Sequence, residues 1–541
     1  MNSHVFACLL FIILSQSPLS FSLTLANRCR PEEKLALVGF ANPSSLSAMC
    51  SVNWNAVDCC SWEGIQCDKL TNHVITLNLT SCGQIKFSLA ALSNLPFLQV
   101  LHLSWSAITG SIPSSFSKLT SLTTLNLAGT ELTGTLPDFT NLRQLVSLDL
   151  SRNSFTGAIH PSIFNLLNLR YLDLSSAQLS GTVPESIGKL RRLLTLDLSN
   201  NQLTGTVPVS IGNLSQLVTI NFNGNSLSGN LPSSLGALSQ LRVMFFSWNK
   251  LTGQIPFSIF QLPNLRDMNL YSNSFEGPLP STIRVDSKLT NLLLNDNNLT
   301  GRLPAWLFTR SLTYIYMNHN GFNGIEKFVK PKTSPLRFIS LMFNKLEGLP
   351  NLFFQLENVS YIALDGNKLS GVIEWSLLKN MNKLELLSFR GNEGLTFGNK
   401  GGAVFNLPSL KIIEMDGCGW TEIPSFFRNL DAVTEFTVSR NRIQGQMAFA
   451  NWWEKLEFLD ASFNMLEGSL LTPSSVFLKA LVLSNNRLTG NIPISFCRNI
   501  EETLNLSYNQ LEGPIPKGCL FPNSSYIGNK GLCGPPLSKP C

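Results

Sequence analysis

Charge is scarce in this sequence. Charged residues fill 14 % of 541 positions and nearly balance, leaving a net charge of +6 and no dense Lys/Arg run. A nucleic-acid surface needs a basic patch or stripe, so no nucleic-acid partner is expected. Histidine is scarce too, with five residues at 4, 73, 102, 160 and 319, and none has a second His or a paired carboxylate at a useful spacing. His319 therefore reads as an exposed polar side chain rather than a general base, and no enzymatic activity is expected. A Cys-x-x-Cys pair is absent, so a zinc site is not expected and no cofactor is implied. Beyond the first 26 residues there is no run of about 18 apolar residues, so nothing there reads as a membrane span.

The N-terminus has an apolar run from Val5 to Leu14, then small and polar residues up to Ala26. That is the layout of a secretory signal peptide without its usual basic start, and 1–26 is expected to be removed near Ser22 or Ala26. Cysteine usage agrees with an oxidising compartment. Of 12 Cys, Cys8 leaves with the signal; Cys29, Cys50, Cys59, Cys60, Cys67 and Cys82 gather at one end and Cys497, Cys519, Cys533 and Cys541 at the other. Cys418 stands alone and reads as a buried small thiol. The expected location is secreted and extracellular, in the apoplast or cell wall, or at the plasma membrane if this sequence lacks an anchor.

What the chain has in abundance is one pattern. It reads Leu190-x-x-Leu193-x-x-Leu196-x-Leu198-x-x-Asn201-x-Leu203-x-Gly205-x-Val207-Pro208, and the frame returns 24 residues on around Asn225, then at Asn249, Asn273 and Asn297. A period between 20 and 29 with this spacing is the signature of a leucine-rich repeat. Leu196 and Leu198 alternate with exposed residues, as in a short strand with one face inward. Asn201 stands where the chain leaves the strand, and its amide can satisfy backbone groups the turn leaves unpaired. Gly205 permits unusual backbone angles and Pro208 ends the segment. One coil cannot bury its own leucines, but stacked neighbours can.

The Asn position recurs, with substitutes, at Cys82, Ser106, Thr130, Asn153, Ala177, Asn201, Asn225, Asn249, Asn273, Asn297, Asn320, Asn344, Asn367, Asn392, Cys418, Asn441, Asn464, Asn486 and Asn509. That is about 19 coils, 22 to 26 residues apart. Ser, Thr and Cys can still donate there; Ala177 cannot, so a local defect or a water is expected. The frame is broken at 324–335 and 393–407, which read as loops.

The expected domains are a signal peptide (1–26), an N-terminal cap (27–73), leucine-rich repeats (74–516) and a C-terminal cap (517–541). In the N-terminal cap, Pro31 to Phe40 reads as a short amphipathic helix with Glu32 and Glu33 in its first turn. Trp54, Trp62 and a cluster of cysteines follow, suited to cover the open end of the first coil.

Three stretches together resemble plant extracellular leucine-rich-repeat proteins: coils of the form LxxLxLxxNxLxGxIP, the Cys-Cys-x-Trp-x-Gly-Ile-x-Cys run at Cys59–Cys67, and the ending Ser525-Tyr526-x-Gly528-Asn529-x-Gly531-Leu532-Cys533-Gly534. The chain is most similar to the ectodomain of a receptor-like protein, a kinase-less relative of the receptor kinases. The resemblance implies an α/β solenoid, a right-handed superhelix with a parallel sheet on its concave face and disulfide-stabilised caps. It also implies the pairs Cys29–Cys59, Cys60–Cys67, Cys497–Cys519 and Cys533–Cys541. Cys50 and Cys82 have no place in that pattern, and a bond between them is open. Members usually continue into an acidic spacer, a membrane helix and a short tail; this chain stops at the cap, as a soluble form or an incomplete one. No Gly-rich loop, HRD or DFG motif occurs.

Binding is expected on the strand residues between the inward leucines, whose identities packing leaves free. The early coils offer Trp105, Arg152, Arg170 and Tyr171. The middle coils are richer: Arg242, Phe245, Trp248, Arg266, Tyr271, Tyr314, Tyr316, His319, Arg337, Phe338, Phe343 and Tyr361. Exposed aromatics beside arginines are the composition of binding hot spots, and the same set could stack on sugars. Sequons at Asn78, Asn213, Asn298, Asn358, Asn505 and Asn523 are expected glycan acceptors.

The leading expectation is an extracellular recognition protein. It binds a peptide, protein or wall-derived oligosaccharide, and signals only through a leucine-rich-repeat receptor kinase co-receptor, in defence or development. The alternative is a soluble inhibitor of a wall-degrading enzyme, like the polygalacturonase-inhibiting proteins, which have about half as many coils. A structural or ice-binding role would need a flat, regular row of Thr or Asn, which the mixed strip lacks.

Overall fold

The computed structural model of the chain describes residues 29–41, 52–54, 56–81, 87–327, 334–348, 351, 353–398, 406–447, 453–472 and 475–541. The signal segment, Cys50, Cys82 and the middles of both irregular coils (328–333 and 399–405) lie outside the described residues. The chain forms two compact units, Met1–Leu148 and Asp149–Cys541.

In the first unit the helix Pro31–Phe40 forms as expected. Its acids do different work from the expected one. Glu33 is almost fully buried and accepts from the Val74 N–H at 2.8 Å and pairs with His73 Nδ1 at 2.8 Å, which ties the helix to the strand Val74–Asn78. Trp54 and Trp62 stack at 4.8 Å, their indole N–H groups donating to the carbonyls of Glu63 and Ala56. Disulfides Cys29–Cys59 and Cys60–Cys67 close this cap. An antiparallel pair, Ile65–Cys67 with Val74–Asn78, starts the sheet, and Val100–His102 and Thr124–Asn126 extend it in parallel.

The second unit repeats one coil. Fifteen three-residue strands, from Tyr171–Asp173 to Thr503–Asn505, pair in parallel with their successors in unbroken register. The middle residue of each points inward; Leu196, Ile220, Met244 and Met268 are wholly buried. The outer side carries 3-10 turns such as Val209–Asn213 and Ser233–Ala237. There glycine meets serine: a Cβ on Gly212 would lie 2.5 Å from the Ser234 carbonyl oxygen. After each asparagine a second short strand forms, and Ser180–Thr182 to Gly321–Ile325 make a second sheet of seven. The sequence reading had no second sheet, because it assigned Leu203 and Gly205 only to inward packing and a turn.

The asparagine ladder is physical. Asn249 Nδ2 donates to Phe222, Phe246 and Ser247 carbonyls, and its Oδ1 accepts from the Leu227 N–H of the preceding coil. Ala177 breaks the pattern through the backbone. The Phe155 N–H, which the next asparagine would normally receive, goes to the Ala177 carbonyl at 3.1 Å. Gln178 then adopts φ 59°, a second left-handed residue beside Ser176. The expected defect is a reshaped turn. Cys418 fills its ladder position as expected: its thiol is buried, hydrogen-bonds the Phe389 carbonyl, and burial pushes its pKa up to about 12.

The ladder also runs further than the sequence reading placed it. Asn529 Nδ2 donates to the Leu506 and Tyr526 carbonyls, its Oδ1 accepts from Leu511, and Gly531–Cys533 pairs in parallel with Gln510–Pro514. The C-terminal cap is therefore a shortened coil as well as a lid, locked by Cys497–Cys519 and Cys533–Cys541.

Candidate functional site

Every coil places its outward residues in the same columns, at seven, six, four, two and one positions before the ladder residue. In most coils these are Thr, Ser, Asn or Asp. From Arg242 to Tyr361 many of them become aromatic or arginine, while the coil before Asn297 keeps Thr290, Asn291, Leu293, Asn295 and Asp296.

The twelve candidates do not all lie in strands, which corrects the sequence reading. Phe245, Tyr314, Tyr316, Phe338 and Tyr361 do. Arg242, Arg266 and Arg337 immediately precede strands, and Tyr271 follows one. Trp248, His319 and Phe343 stand directly before the ladder asparagine, with φ of 54°, 51° and 54°. The chain must turn there to send the asparagine inward, and other coils use Gly224, Gly366 and Gly391. A left-handed residue other than glycine costs about 1–2 kcal/mol. Trp248 and Phe343 stay there while 58 % and 51 % exposed, so the cost is not recovered by burial. Ser176, Asn200, Ser272 and Asp296 adopt the same angle in this column, so the turn belongs to the coil; what sets Trp248 and Phe343 apart is a large exposed ring there.

The rings form two groups. Trp248 meets Tyr271 edge-on at 5.1 Å. Further along, Tyr316, Phe338 and Tyr361 stack in series at 4.4 and 3.9 Å, and His319 stacks on Phe343 at 4.5 Å. Burial raises the phenol pKa of Tyr316 and Tyr361, so both remain protonated hydrogen-bond donors at neutral pH. Arg242, Arg266 and Arg337 are exposed, with no ion pair or side-chain hydrogen bond among the described residues.

Between the two groups lies a depression of about 290 Å³, lined by Phe245, Asp267, Met268, Asn269, Asn291, Leu293, Tyr314 and Tyr316. Five of these eight escaped the sequence reading, which selected large residues. The available signal was two successive strands without a ring, Asp267–Asn269 and Asn291–Leu293, between two that carry one.

The flanks are acidic or internally paired. Asp149, Asp173 and Asp197 share one column toward the start of this unit; burial, aided by the neighbouring aspartates, raises the pKa of Asp149 and Asp197. The Tyr171 hydroxyl donates to Asp173 at 3.0 Å. Toward the other end Arg390 bridges Glu414 and Asp416. Exposed Phe463 and Tyr508, also left-handed, were missed as well.

Of the sequons, Asn78, Asn213, Asn298 and Asn523 are exposed, and Asn505 is half-buried. Asn358 differs: its amide nitrogen donates to the Ser334 carbonyl at 2.7 Å and its oxygen accepts from Lys383. A glycan on that nitrogen would compete with its bond to Ser334.

Family models match as a leucine-rich repeat region at 148–348, a leucine-rich repeat N-terminal domain at 30–68, and single leucine-rich repeats at 97–119, 477–499 and 502–520. Receptor-like protein 50 of Arabidopsis thaliana is 35 % identical over 167 residues, which cover 28 % of this chain and 18 % of that protein. The match thus spans under a fifth of that relative. Among solved structures, the plant peptide hormone receptor RGFR1 in complex with RGF2 superposes with a TM-score of 0.74 at 28 % identity, over 84 % of this chain and 74 % of that one. The Arabidopsis receptor kinase HAESA, in complex with the peptide hormone IDA and the co-receptor SERK1, gives 0.67 at 27 % identity, over 93 % and 97 %. Among the described residues no helix is long and apolar enough to cross a membrane.

Proposed function

The chain belongs to the plant extracellular leucine-rich-repeat family and is most like a receptor-like protein ectodomain, and on that premise we propose that it recognises an extracellular peptide on the strip between Phe245 and Tyr361. One observation carries this reading. Exposed and half-exposed aromatic rings flank a depression and stand beside Arg242, Arg266 and Arg337, which have no side-chain partner among the described residues, within five successive coils of one array. Packing explains none of these choices, since neighbouring coils fold with Thr, Ser and Asn in the same columns. The neighbours RGFR1 and HAESA, each solved with a peptide hormone, support a peptide over a sugar.

We place signalling in a partner receptor kinase, as the co-receptor in the HAESA complex supports. The cap disulfides fit an extracellular setting. Pooled apoplastic peptides and mixed oligogalacturonides, each titrated against the protein and a Trp248→Ala/Tyr271→Ala variant, test the reading. Peptide binding should fall at least tenfold in the variant with an unchanged melting curve. Unchanged peptide affinity, or binding by the sugars alone, overturns it. Inhibition of a polygalacturonase by the wild type would favour the enzyme-inhibitor alternative.

A further inference from the structure

We propose that the depression between Phe245 and Tyr316 receives one tryptophan or tyrosine side chain of the ligand peptide, a proposal that rests on the peptide reading above. Size comes first. At about 290 Å³ it falls just short of the range that encloses a whole small ligand, roughly 300–1,000 Å³, and suits one large side chain. Its shape follows from the repeat. The wall strands Val243–Phe245 and Tyr314–Tyr316 are three strand steps apart, roughly 14 Å at the spacing of paired strands. Phe245 stands at one end, Tyr314 and Tyr316 at the other, and Leu293 lies between, beside the strand backbone at Met268. A flat ring entering there has aromatic edges at both ends and the half-exposed Leu293 beneath it.

The polar groups narrow the choice. Asp267 accepts from the Asn291 amide with one oxygen; its second oxygen has no donor among the described residues. Asn269 Oδ1 already serves the Tyr271 N–H. The pocket therefore offers an acceptor and wants a donor. A phenylalanine would cover that oxygen without pairing it, which is costly. An acidic side chain would meet Asp267. The indole N–H or phenol O–H supplies the donor without a charge.

A random decapeptide library displayed on phage, panned against the full chain, tests this. Selected peptides should share Trp or Tyr at one position, and replacing it by Phe should weaken binding about tenfold. Leu293→Trp fills the pocket and should abolish their binding; Asn269→Trp does the same from the neighbouring strand if the first variant fails to fold. Asp267→Leu should bring the Trp and Phe peptides within twofold of each other. Peptides that bind without an aromatic preference, or that bind both filled variants, overturn the proposal while leaving the peptide reading intact. Selection of no peptide at all overturns both.

Discussion

Removing one rung of the asparagine ladder has a cost that follows from its bonds. In Asn249→Ala, four hydrogen bonds disappear. Three of the groups they served keep another partner: the Phe222 carbonyl keeps Asn225, the Phe246 carbonyl keeps Asn273, and the Ser247 carbonyl keeps the Gly224 N–H. Only the Leu227 N–H is left without one. A buried donor without a partner costs about 1–3 kcal/mol, so the total should stay in that range, well below four full bonds. Contacts run only between adjacent coils, so the damage stays local. Hydrogen exchange measured on peptides spanning 219–230 should therefore accelerate about 5- to 150-fold, the equivalent of that free energy, with segments beyond residue 350 unchanged. Asn249→Asp should cost more, because a carboxylate can still accept from Leu227 but faces three carbonyl oxygens it cannot serve. Exchange at Leu227 indistinguishable from wild type, or a global acceleration, would refute the accounting.

The reverse substitution tests the natural gap. Ala177→Asn should restore the rung by receiving the Phe155 N–H, relieve the left-handed Gln178, and raise the urea midpoint of the second unit, a gain of about 1 kcal/mol. On the outer side, Gly212→Ala should destabilise by about 1–3 kcal/mol through overpacking against Ser234, whereas Gly39→Ala, whose Cβ would meet only Ala91 at 3.5 Å, should be tolerated in the same urea titration. The half-buried aspartate column predicts a pH effect. The folded-state pKa of Asp149 is raised, mainly by burial, so the native state holds its proton more tightly than the unfolded chain does. Its favourable contribution is present below the unfolded value and lost as pH rises through the folded one. Asp149→Asn should therefore raise the melting temperature at pH 7 and leave it unchanged at pH 3; equal shifts at both would contradict the assignment.

Legibility in the sequence divides along a physical line. Leu196, Asn201 and their counterparts are each used once per coil against the same neighbours, so packing imposes the same residue type every 24 positions, and the period exposes them. The cap pairs Cys29–Cys59 and Cys533–Cys541 were reachable because the residues flanking them resemble a known family. The second sheet was less legible, since Thr204 and Gly205 pair through backbone atoms that side-chain identity does not report. Asn529 hid because its coil is short, 20 residues after Asn509 rather than 24. The left-handed column was in principle visible: Gly129, Gly224, Gly366, Gly391 and Gly417 all precede a ladder position. In that column Trp248, His319 and Phe343 put rings where many other coils put Gly, Ser, Asn or Asp, and only once the column is recognised does their presence carry information.

The candidate pocket lies beyond any single period. Phe245 and Tyr316 are 71 positions apart, and what makes them opposing walls is the shortness of Asp267, Asn269 and Asn291 in the coils between. A repeat scaffold separates the two kinds of information. Inward positions must agree with their neighbours in every coil, so they announce the fold. Outward positions are released from that agreement, and a binding surface is then defined by differences between coils. It follows that the residues to vary when altering specificity are the short ones as much as the rings. Enlarging Asn269 or Leu293 should close the pocket while leaving every inward leucine, and hence the coil, in place.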